Sequence, residues 1–449
     1  MAFTPQQAIL ELGDAFYDPV TAARFPKTVL RFRNDRAAAQ IGLDGLTTEQ
    51  WIAHFGRFEL LPGSLQQPLA LRYHGHQFRV YNPEIGDGRG FLFAQMTDER
   101  GRLMDLGTKG SGQTPYSRFG DGRLTLKGGV REILATEMLE ALGVETSRTF
   151  SLIETGEELQ RGDEPSPTRS SVLVRLNHGH IRIGTFQRLA HSQDVENIAK
   201  LTEYVLRHYF GEEPGNDAPQ RLLGHVAART ARMAGRFMAA GFVHGVLNSD
   251  NINVTGESFD YGPWRFAPSW APTFTAAYFD QRGLYSFGRQ PEAIYWDVMQ
   301  LASSLRLITD EEPLIEAMDA FPEIFQREVA DAMLWRLGVV PRVEQDRALV
   351  GAIERVLVET ETPIDRFFFD GFGGTLPDSY GEPFAELRAQ LVQYAPRKPR
   401  DHPYWSDPAP CAMLIDEVEA IWARIAQEDD WAPLNAKVAA IRRMGEALA

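Results

Sequence analysis

The sequence predicts an α+β protein with two lobes, a small β-rich lobe followed by a larger α-rich lobe. With 449 residues, the chain exceeds the length at which a single hydrophobic core stops growing. Between about Leu71 and Arg188 the apolar runs are short and separated by glycines, which is typical of strands joined by tight turns. After about His191 the apolar residues recur with helical spacing. We therefore expect an N-terminal extension (1–70), a β-rich lobe (71–190), an α-rich lobe (191–340) and a C-terminal helical extension (341–449).

Composition and charge argue against several classes of function. A formal net charge of -15 disfavours broad nucleic-acid binding, which requires basic surface to displace counterions from phosphates. The N-terminal residues lack a basic run followed by an apolar core, and no segment approaches about 18 uninterrupted apolar residues. We therefore expect a soluble, cytoplasmic protein with no membrane partner. Cys411 is the only cysteine, so an internal disulfide cannot form, and we expect a buried, inert thiol.

Six short apolar runs predict the strands of the β-rich lobe, and one helix interrupts them. The runs are FRVYN, FLFAQM, RLMDLGTK, RTFSLI, SVLVRL and IRIGTF. The helix is expected from about Val130 to Leu142, where apolar residues fall on one face and Gly143 follows the last turn. The lobe is therefore predicted to run strand, turn, strand, strand, helix and then further strands.

A glycine-rich turn, GDGRG, separates the first two predicted strands. Because Gly86, Gly88 and Gly90 have no Cβ, their backbone N–H groups could approach phosphate oxygens closely. An ordinary hairpin turn has the same composition and is the more common explanation of an isolated GDGRG. Evidence that the turn binds phosphate therefore depends on the residues that follow it.

Lys109 and Glu132 follow this turn in positions that suit an ion pair. Lys109 ends a predicted strand, and Glu132 is expected in the first turn of the next helix. In protein kinases, a Lys–Glu pair with this placement orients the lysine on the nucleotide phosphates. Each residue alone would be a surface charge, and Glu132 near a helix N-terminus would also be favoured by the helix dipole.

The α-rich lobe contains a loop that resembles the catalytic loop of protein kinases. Three helical segments are expected, at QDVENIAKLTEYVLRHYF, PQRLLGHVAARTARMAGRFMAAG and PEAIYWDVMQLASSLRLIT, and the loop FVHGVLNSDNINV follows the second. In the kinase pattern H-x-D-x-x-x-x-N, the Asp accepts the proton of the attacking hydroxyl. Here Asn251 occupies the Asn position, but the Asp position is Val246.

Asn251 and Asp260 are candidate metal ligands. Asp260 lies in an Asp-Tyr-Gly sequence that is similar to the metal-holding Asp-Phe-Gly of kinases. An amide oxygen and a carboxylate suit a hard cation such as Mg²⁺ or Mn²⁺. The alternative is that each residue forms an Asx turn in a polar loop.

Arg175 and Arg182 are unusual because both lie within strand-like runs, SVLVRLNHGH and HIRIGTF. Alternate residues of a strand share a face, so two guanidinium groups could point into the cleft between the lobes and bind phosphates. Arginines that face solvent on a sheet are the alternative, and spacing alone does not decide between the two.

Together the motifs resemble the selenoprotein O family, through RYHGHQFRVYNPEIGDGRG, DLGTKGSGQTPYSRFGDGR, VLVR with IRIGTF, and HGVLNSDN with DYGP. The resemblance implies a protein-kinase-like bilobal fold that transfers AMP from ATP to Ser, Thr or Tyr hydroxyls of target proteins, releasing pyrophosphate. It implies Asp250 as the catalytic base, and a nucleotide turned so that its α-phosphate faces the acceptor. The metal, Mg²⁺ or Mn²⁺, would be held by Asn251 and Asp260. Implied nucleotide-site residues are Gly86, Gly88, Arg89, Lys109, Asp121, Gly122, Arg175 and Arg182, with Glu132 paired to Lys109.

Three alternatives remain open beside AMP transfer: transfer of another nucleotide such as UMP, a kinase that transfers the γ-phosphoryl group, and a non-catalytic nucleotide-binding scaffold. Val246 weighs against the kinase. Retention of Lys109, Glu132, Asn251 and Asp260 weighs against the scaffold. The chain also departs from the family pattern, because members commonly carry a cysteine or selenocysteine near the C-terminus, whereas this sequence ends RRMGEALA.

Overall fold

The computed structural model describes residues 2–449 and shows a β-rich lobe joined to an α-rich lobe. The strands are β1 (Pro5–Gln6), β2 (Tyr17–Pro19), β3 (Val29–Arg33), β4 (Leu69–Leu71), β5 (Gly75–Gln77), β6 (Val80–Asn82), β7 (Leu92–Thr97), β8 (Leu103–Lys109), β9 (Leu124–Thr125), β10 (Arg148–Leu159), β11 (Thr168–Asn177), β12 (Phe242–His244) and β13 (Trp264–Phe266). The helices are α1 (Asp35–Gln40), α2 (Thr48–Gly56), α3 (Leu126–Ala141), α4 (Ile183–His191), α5 (Val195–Val205), α6 (Ala218–Ala240), α7 (Gln290–Leu305), α8 (Glu311–Asp319), α9 (Phe321–Arg336), α10 (Asp346–Thr360), α11 (Ile364–Asp370), α12 (Ala385–Leu391), α13 (Ile415–Glu428) and α14 (Ala432–Leu448).

An antiparallel sheet of nine strands forms the β-rich lobe. Its order is β2-β4-β7-β8-β11-β10-β3, with β1 paired to β7 and β9 paired to β11. Strand β8 pairs with β11 rather than with β10, and α3, which lies between β8 and β10 in the chain, packs against both β10 and β11. The predicted α+β architecture with a β-rich lobe before an α-rich lobe, in the kinase-like order of elements, is therefore confirmed.

Strands β1, β2 and β3 come from the first 33 residues and join the same sheet. Strand β3 pairs with β10, β2 pairs with β4, and β1 pairs with β7. The N-terminal segment therefore contributes to the sheet of the β-rich lobe as well as preceding it.

Two predicted strands are wrong in detail. In FRVYN, Phe78 and Arg79 have left-handed φ angles of 51° and 62°, so the strand begins only at Val80. Strand β6 pairs with β5 in a separate two-stranded sheet, so GDGRG does not close a hairpin between β6 and β7. The predicted strand IRIGTF instead enters helix α4, which begins at Ile183.

Helix α3 begins earlier than the apolar pattern predicts. The Thr125 side chain caps it by accepting a hydrogen bond from the Gly128 backbone N–H at 3.1 Å. The helix therefore starts at Leu126, and Glu132 lies in its second turn rather than its first. Because the dipole effect falls off within the first turn, it does not explain the position of Glu132.

The three predicted helical segments of the α-rich lobe are confirmed as α5, α6 and α7. Helix α6 is followed by Gly241, whose φ of 69° is left-handed and suits glycine at a helix C-terminus. It packs against α7 and α9 and leads directly into β12 and the loop that contains Val246 and Asn251. The helical core thereby positions the candidate catalytic loop.

Helices α13 and α14, which we call the C-terminal helix pair, pack against α3. Arg442 pairs with Glu137 of α3 at 2.6 Å, and Lys127 of α3 pairs with Glu419 at 2.7 Å. Gly445 lies so close to Ala141 that an added Cβ would be 3.2 Å from the Ala141 Cβ. The C-terminal part of the chain therefore supports the helix that carries Glu132.

Within residues 2–449, no helix is both long enough and apolar enough to cross a membrane.

The environment of Cys411 predicts a slowly reacting thiol. Burial raises the pKa of Cys411 to about 11, against the opposing charge of Lys437. Because the thiolate is the reactive form, we expect iodoacetamide at pH 7 to modify Cys411 roughly 10²-fold more slowly than an exposed model thiol. A mass-spectrometric time course measures this rate, and the same reaction in urea is the control. Cys411 is half-buried rather than fully buried as expected from the sequence. Modification of the folded protein at the model-thiol rate would contradict its raised pKa.

Candidate active site

A cleft of about 770 Å³ brings the predicted site residues together. Its walls come from the GDGRG turn, the end of β8, the loop between β8 and β9, strand β11 and the loop after β12. Every predicted site residue except Glu132 lines it: Gly86, Gly88, Arg89, Lys109, Asp121, Gly122, Arg175, Arg182, Asp250, Asn251 and Asp260.

Lys109 and Glu132 form the ion pair expected from their positions. Both side chains are buried, and the Lys109 Nζ contacts the Glu132 Oε1. In the antiparallel register of β8 and β11, Lys109 lies opposite Leu173, and Gly107 lies opposite Arg175. Since alternate residues share a face of the sheet, Lys109 and Arg175 project to the same side.

Asp260 is the common partner of three cations. Its carboxylate contacts the Arg175 guanidinium, lies 2.7 Å from Arg182 Nη1 and lies 3.6 Å from Lys109 Nζ. Burial opposes ionisation, but these three charges outweigh it and hold the pKa of Asp260 well below its ordinary value. Arg175 and Arg182 therefore point into the cleft, and the alternative of solvent-facing arginines is wrong.

Contrary to the prediction, Arg182 does not lie within a strand. It precedes α4 and has an extended backbone. Its guanidinium lies 4.3 Å from the ring centre of Tyr73 and 4.6 Å from that of Phe259. Its Nη1 donates to the Asp250 carbonyl oxygen at 2.8 Å. The Nε atoms of Arg175 and Arg182 are buried without a hydrogen-bond partner, and both residues line the cleft.

Asp250 lies in a short 3₁₀ turn, packed tightly between glycines. A Cβ added at Gly75 would lie 2.8 Å from the Asp250 Cβ, and one at Gly184 would lie 3.5 Å from the Asp250 Cα. Burial raises the pKa of Asp250 to about 6, against the opposing charge of Arg182. Its Oδ1 atom is buried without a hydrogen-bond partner, and the residue lines the cleft.

The oxygen atoms around Asn251 and Asp260 fit a metal that arrives with a nucleotide. Asn251 Nδ2 donates to the Val246 carbonyl at 2.9 Å, which orients the amide. Within residues 2–449, no group of three or more His, Cys, Asp or Glu side chains could hold a metal by itself. Mg²⁺ is usually bound through one or two protein carboxylates together with substrate phosphates and water, so a larger acidic cluster is not required.

The glycines of the turn are explained by packing as well as by access to a ligand. A Cβ at Gly86 would lie 2.5 Å from the Tyr116 ring, and one at Gly90 would lie 2.0 Å from the Thr108 carbonyl oxygen. Gly122 has a φ of 69°, and a Cβ there would lie 2.2 Å from the backbone of Gly112. The loop between β8 and β9, residues 110–123, therefore packs directly against the GDGRG turn.

Asp121 lies at the rim of the cleft, where its side chain contacts two nearby arginine residues. Its carboxylate pairs with Arg161 at 2.9 Å and accepts a hydrogen bond from the Arg123 backbone N–H at 2.9 Å.

Several cleft residues were not predicted from the sequence. Asp87 lies 3.4 Å from Arg182, and Tyr73 packs on the same guanidinium. Asp87 lies within the GDGRG turn and Tyr73 within RYHGH, so both could have been identified as cleft residues from the motifs that contain them. Arg161 carried no such signal, because its place at the cleft depends on how the loop after β10 folds back.

Glu257 is buried, does not line the cleft, and makes the stability of the fold depend on pH. It accepts a hydrogen bond from the His178 backbone N–H at 2.8 Å, and burial raises the pKa of its carboxyl from 4.5 to about 7 against the charge of Arg148. A carboxyl whose pKa is higher in the folded protein than in the unfolded chain contributes to stability. The contribution is complete at pH values below the pKa of the unfolded chain, and it is lost as the pH rises through the pKa of the folded protein.

We expect Glu257→Gln to gain stability relative to the wild type by about 3 kcal/mol between pH 4 and pH 8, since only the wild type loses this contribution. Urea titrations of both proteins at the two pH values measure the difference. Glu145→Gln, which changes a more exposed neighbouring carboxylate, is the matched control. A stability difference that is the same at both pH values would show that Glu257 does not titrate in this range.

Comparison with known proteins assigns the family. Residues 1–372 match the family model described as protein adenylyltransferase SelO. A protein nucleotidyltransferase YdiU of Synechocystis sp. is 41% identical over 465 residues, covering 96% of each chain. The protein nucleotidyltransferase YdiU of Trichormus variabilis is 46% identical over 372 residues, covering 81% of this chain and 75% of that one.

Among solved structures, a rhoptry antigen kinase domain of Toxoplasma gondii aligns at 12% identity with a TM-score of 0.30, covering 64% of this chain and 84% of that one. The kinase-like order of elements rests on the sheet, α3 and the Lys109–Glu132 pair rather than on this alignment. The family match covers residues 1–372, and the Synechocystis relative covers 96% of the chain. The chain therefore belongs to the SelO family of protein adenylyltransferases.

Proposed function

We propose that this cleft transfers AMP from Mg²⁺- or Mn²⁺-bound ATP to Ser, Thr or Tyr hydroxyl groups of other proteins, with Asp250 as the base. The observation that carries the proposal is the convergence of Lys109, Arg175 and Arg182 on Asp260 in the same cleft as Asp250.

The cations suit the charge that develops in this reaction. As the acceptor oxygen bonds to the α-phosphorus, the bond between that phosphorus and the bridging oxygen breaks, and pyrophosphate leaves with the electron pair. Preorganised cations in a buried site stabilise such charge strongly. Lys109, Arg175 and Arg182 are buried, and all three line the cleft in which the phosphates would lie.

Asn251 and Asp260 would hold the metal, whose chemistry is to neutralise phosphate charge and orient the phosphates. Asp260 is ionised, because three cations hold its pKa low, so it is ready to act as a ligand. The Asn251 amide is oriented by its hydrogen bond to Val246. These two residues supply the protein's share of a shell that phosphates and water would complete.

Asp250 would take the proton from the acceptor hydroxyl. Its Oδ1 atom has no hydrogen-bond partner, and its backbone is fixed by Arg182 and by the packing of Gly75 and Gly184. A pKa raised towards neutrality improves a carboxylate as a general base. Val246 has no group for this role, which weighs against γ-phosphoryl transfer by the ordinary kinase route.

The composition supports protein acceptors in the cytoplasm. A net charge of -15 disfavours nucleic acid as the acceptor, and a single cysteine suits a reducing compartment.

The test is to incubate the protein with ATP labelled at either the α- or the γ-phosphate, with magnesium or with EDTA. Label on protein from α-labelled ATP alone, and only with the metal, supports the proposal. Label from γ-labelled ATP would show a kinase, and no label with retained ATP binding would show a scaffold. α-Labelled UTP in parallel distinguishes transfer of UMP from transfer of AMP.

A further inference from the structure

The charged end of the cleft accounts for the phosphates but leaves the base of the nucleotide without a described partner. A purine or pyrimidine ring binds best to an aromatic or apolar surface. Apolar and aromatic side chains are few in this cleft: Tyr73, Ile85, Tyr116, Phe119 and Val246.

Most of these side chains are already engaged. Tyr73 packs under the Arg182 guanidinium, and Ile85 is buried. The Tyr116 hydroxyl contacts Asp18, while its ring packs on Gly86. Phe119 differs from all of them, because it lines the cleft with a relative exposure of 107%.

The surrounding contacts keep Phe119 beside the cleft. On one side, the Ser117 hydroxyl donates to the Gly88 carbonyl, and the Thr114 hydroxyl donates to the Asp87 carbonyl. On the other side, Asp121 pairs with Arg161. The loop is therefore fixed to the GDGRG turn and to the β10–β11 connection, with Phe119 at the tip between these anchors.

We propose that Phe119 forms the base-binding surface of the cleft by stacking on the nucleotide base, and that it favours purine over pyrimidine nucleotides. This inference rests on the proposed nucleotide binding in the cleft. Stacking accepts any base because every base has a π face, but the larger purine ring contacts more of the phenyl group. Phe119 therefore sets a preference for ATP over UTP that is graded rather than absolute.

Binding measurements with magnesium and three ligands test the inference: ATP, UTP and inorganic tripolyphosphate. Calorimetry should show that Phe119→Ala weakens ATP binding roughly 5- to 150-fold, the range expected for loss of one stacked base. UTP binding should weaken less, and tripolyphosphate binding should not change, because that ligand has no base.

A Trp at the same position gives an independent optical measurement. In Phe119→Trp, ATP should change the added tryptophan emission, whereas tripolyphosphate should not. Val392→Trp is the control, because Val392 is 81% exposed and lines neither this cleft nor the adjoining cavity that shares Lys109 with it, so neither ligand should change the emission of a Trp at this position.

The outcomes separate this inference from the proposed function. If the wild type binds ATP and transfers the α-label, but Phe119→Ala binds ATP as tightly and Phe119→Trp shows no ATP-specific change, the role of Phe119 is overturned alone. Equal losses for ATP and UTP would overturn the purine preference. A wild-type protein that binds no ATP would overturn both proposals.

Discussion

Replacing Asp260 with Asn should abolish metal-dependent AMP transfer and remove the effect of magnesium on ATP affinity. The carboxylate is the charged ligand proposed for the metal, and an amide cannot replace its charge. At the same time, Lys109, Arg175 and Arg182 lose the anion that they share, so metal-free ATP should bind at least as tightly as in the wild type. Titrations of ATP with and without magnesium measure both effects, and α-label incorporation measures transfer.

Asp87→Asn is the matched control, because it also removes a carboxylate beside Arg182 but not a proposed metal ligand. Its ATP affinity should still respond to magnesium. Removing one partner of a buried ion pair costs about 3–5 kcal/mol, so unfolding must be measured for each variant. A folded Asp260→Asn protein with wild-type transfer would exclude Asp260 as a ligand.

Asp250→Asn should lower AMP transfer about 10²- to 10⁴-fold, the usual contribution of a general base, while the Kd for ATP stays close to that of the wild type. A base acts in the transition state rather than in binding of the ground state, and Asn preserves the shape of the buried side chain. Calorimetry gives the Kd, and incorporation of the α-label gives the rate.

Two comparison variants make the result for Asp250 specific. Arg175→Ala should weaken ATP binding and transfer together, because its guanidinium is proposed to contact the phosphates. Val246→Asp should not produce an efficient kinase, since the family resemblance implies a nucleotide orientation in which the γ-phosphate would still be directed away from the acceptor. Undiminished α-label transfer by Asp250→Asn, or strong γ-label transfer by the wild type, would refute the assignment of the base.

The fold was predictable where local pattern and tertiary structure agree. The apolar runs of β7, β8 and β11 and the helical periods of α5, α6 and α7 are each strong enough to identify an element by themselves. Strands β1 and β2 are only two and three residues long, and they form through pairing with β7 and β4, which sequence pattern does not show. IRIGTF has β-branched residues that favour a strand, but packing of α4 against α7 overrides that preference.

The site was predictable for residues whose chemistry is unusual in their position. Three such features can be recognised directly in the sequence: a lysine that ends a strand, arginines in apolar runs, and an Asn–Asp pair after a helix. Tyr73 and Phe119 are ordinary aromatic residues, and only their contacts or exposure distinguish them. The pairing of Asp121 with Arg161 joins loops 40 residues apart, so no local pattern reveals it.

Packing of the C-terminal helix pair against α3 has a consequence for the order of assembly during synthesis. Translation proceeds from the N-terminus, and early segments fold while later ones are still being made. Lys109 and Glu132 emerge in the first third of the chain, and the sheet is complete once Asn177 has emerged. Helix α3, however, receives the Arg442–Glu137 and Gly445–Ala141 contacts from the final helix of the described residues. The support behind Glu132 is therefore completed last, so a nascent chain that already carries every proposed nucleotide-binding residue still lacks the finished site.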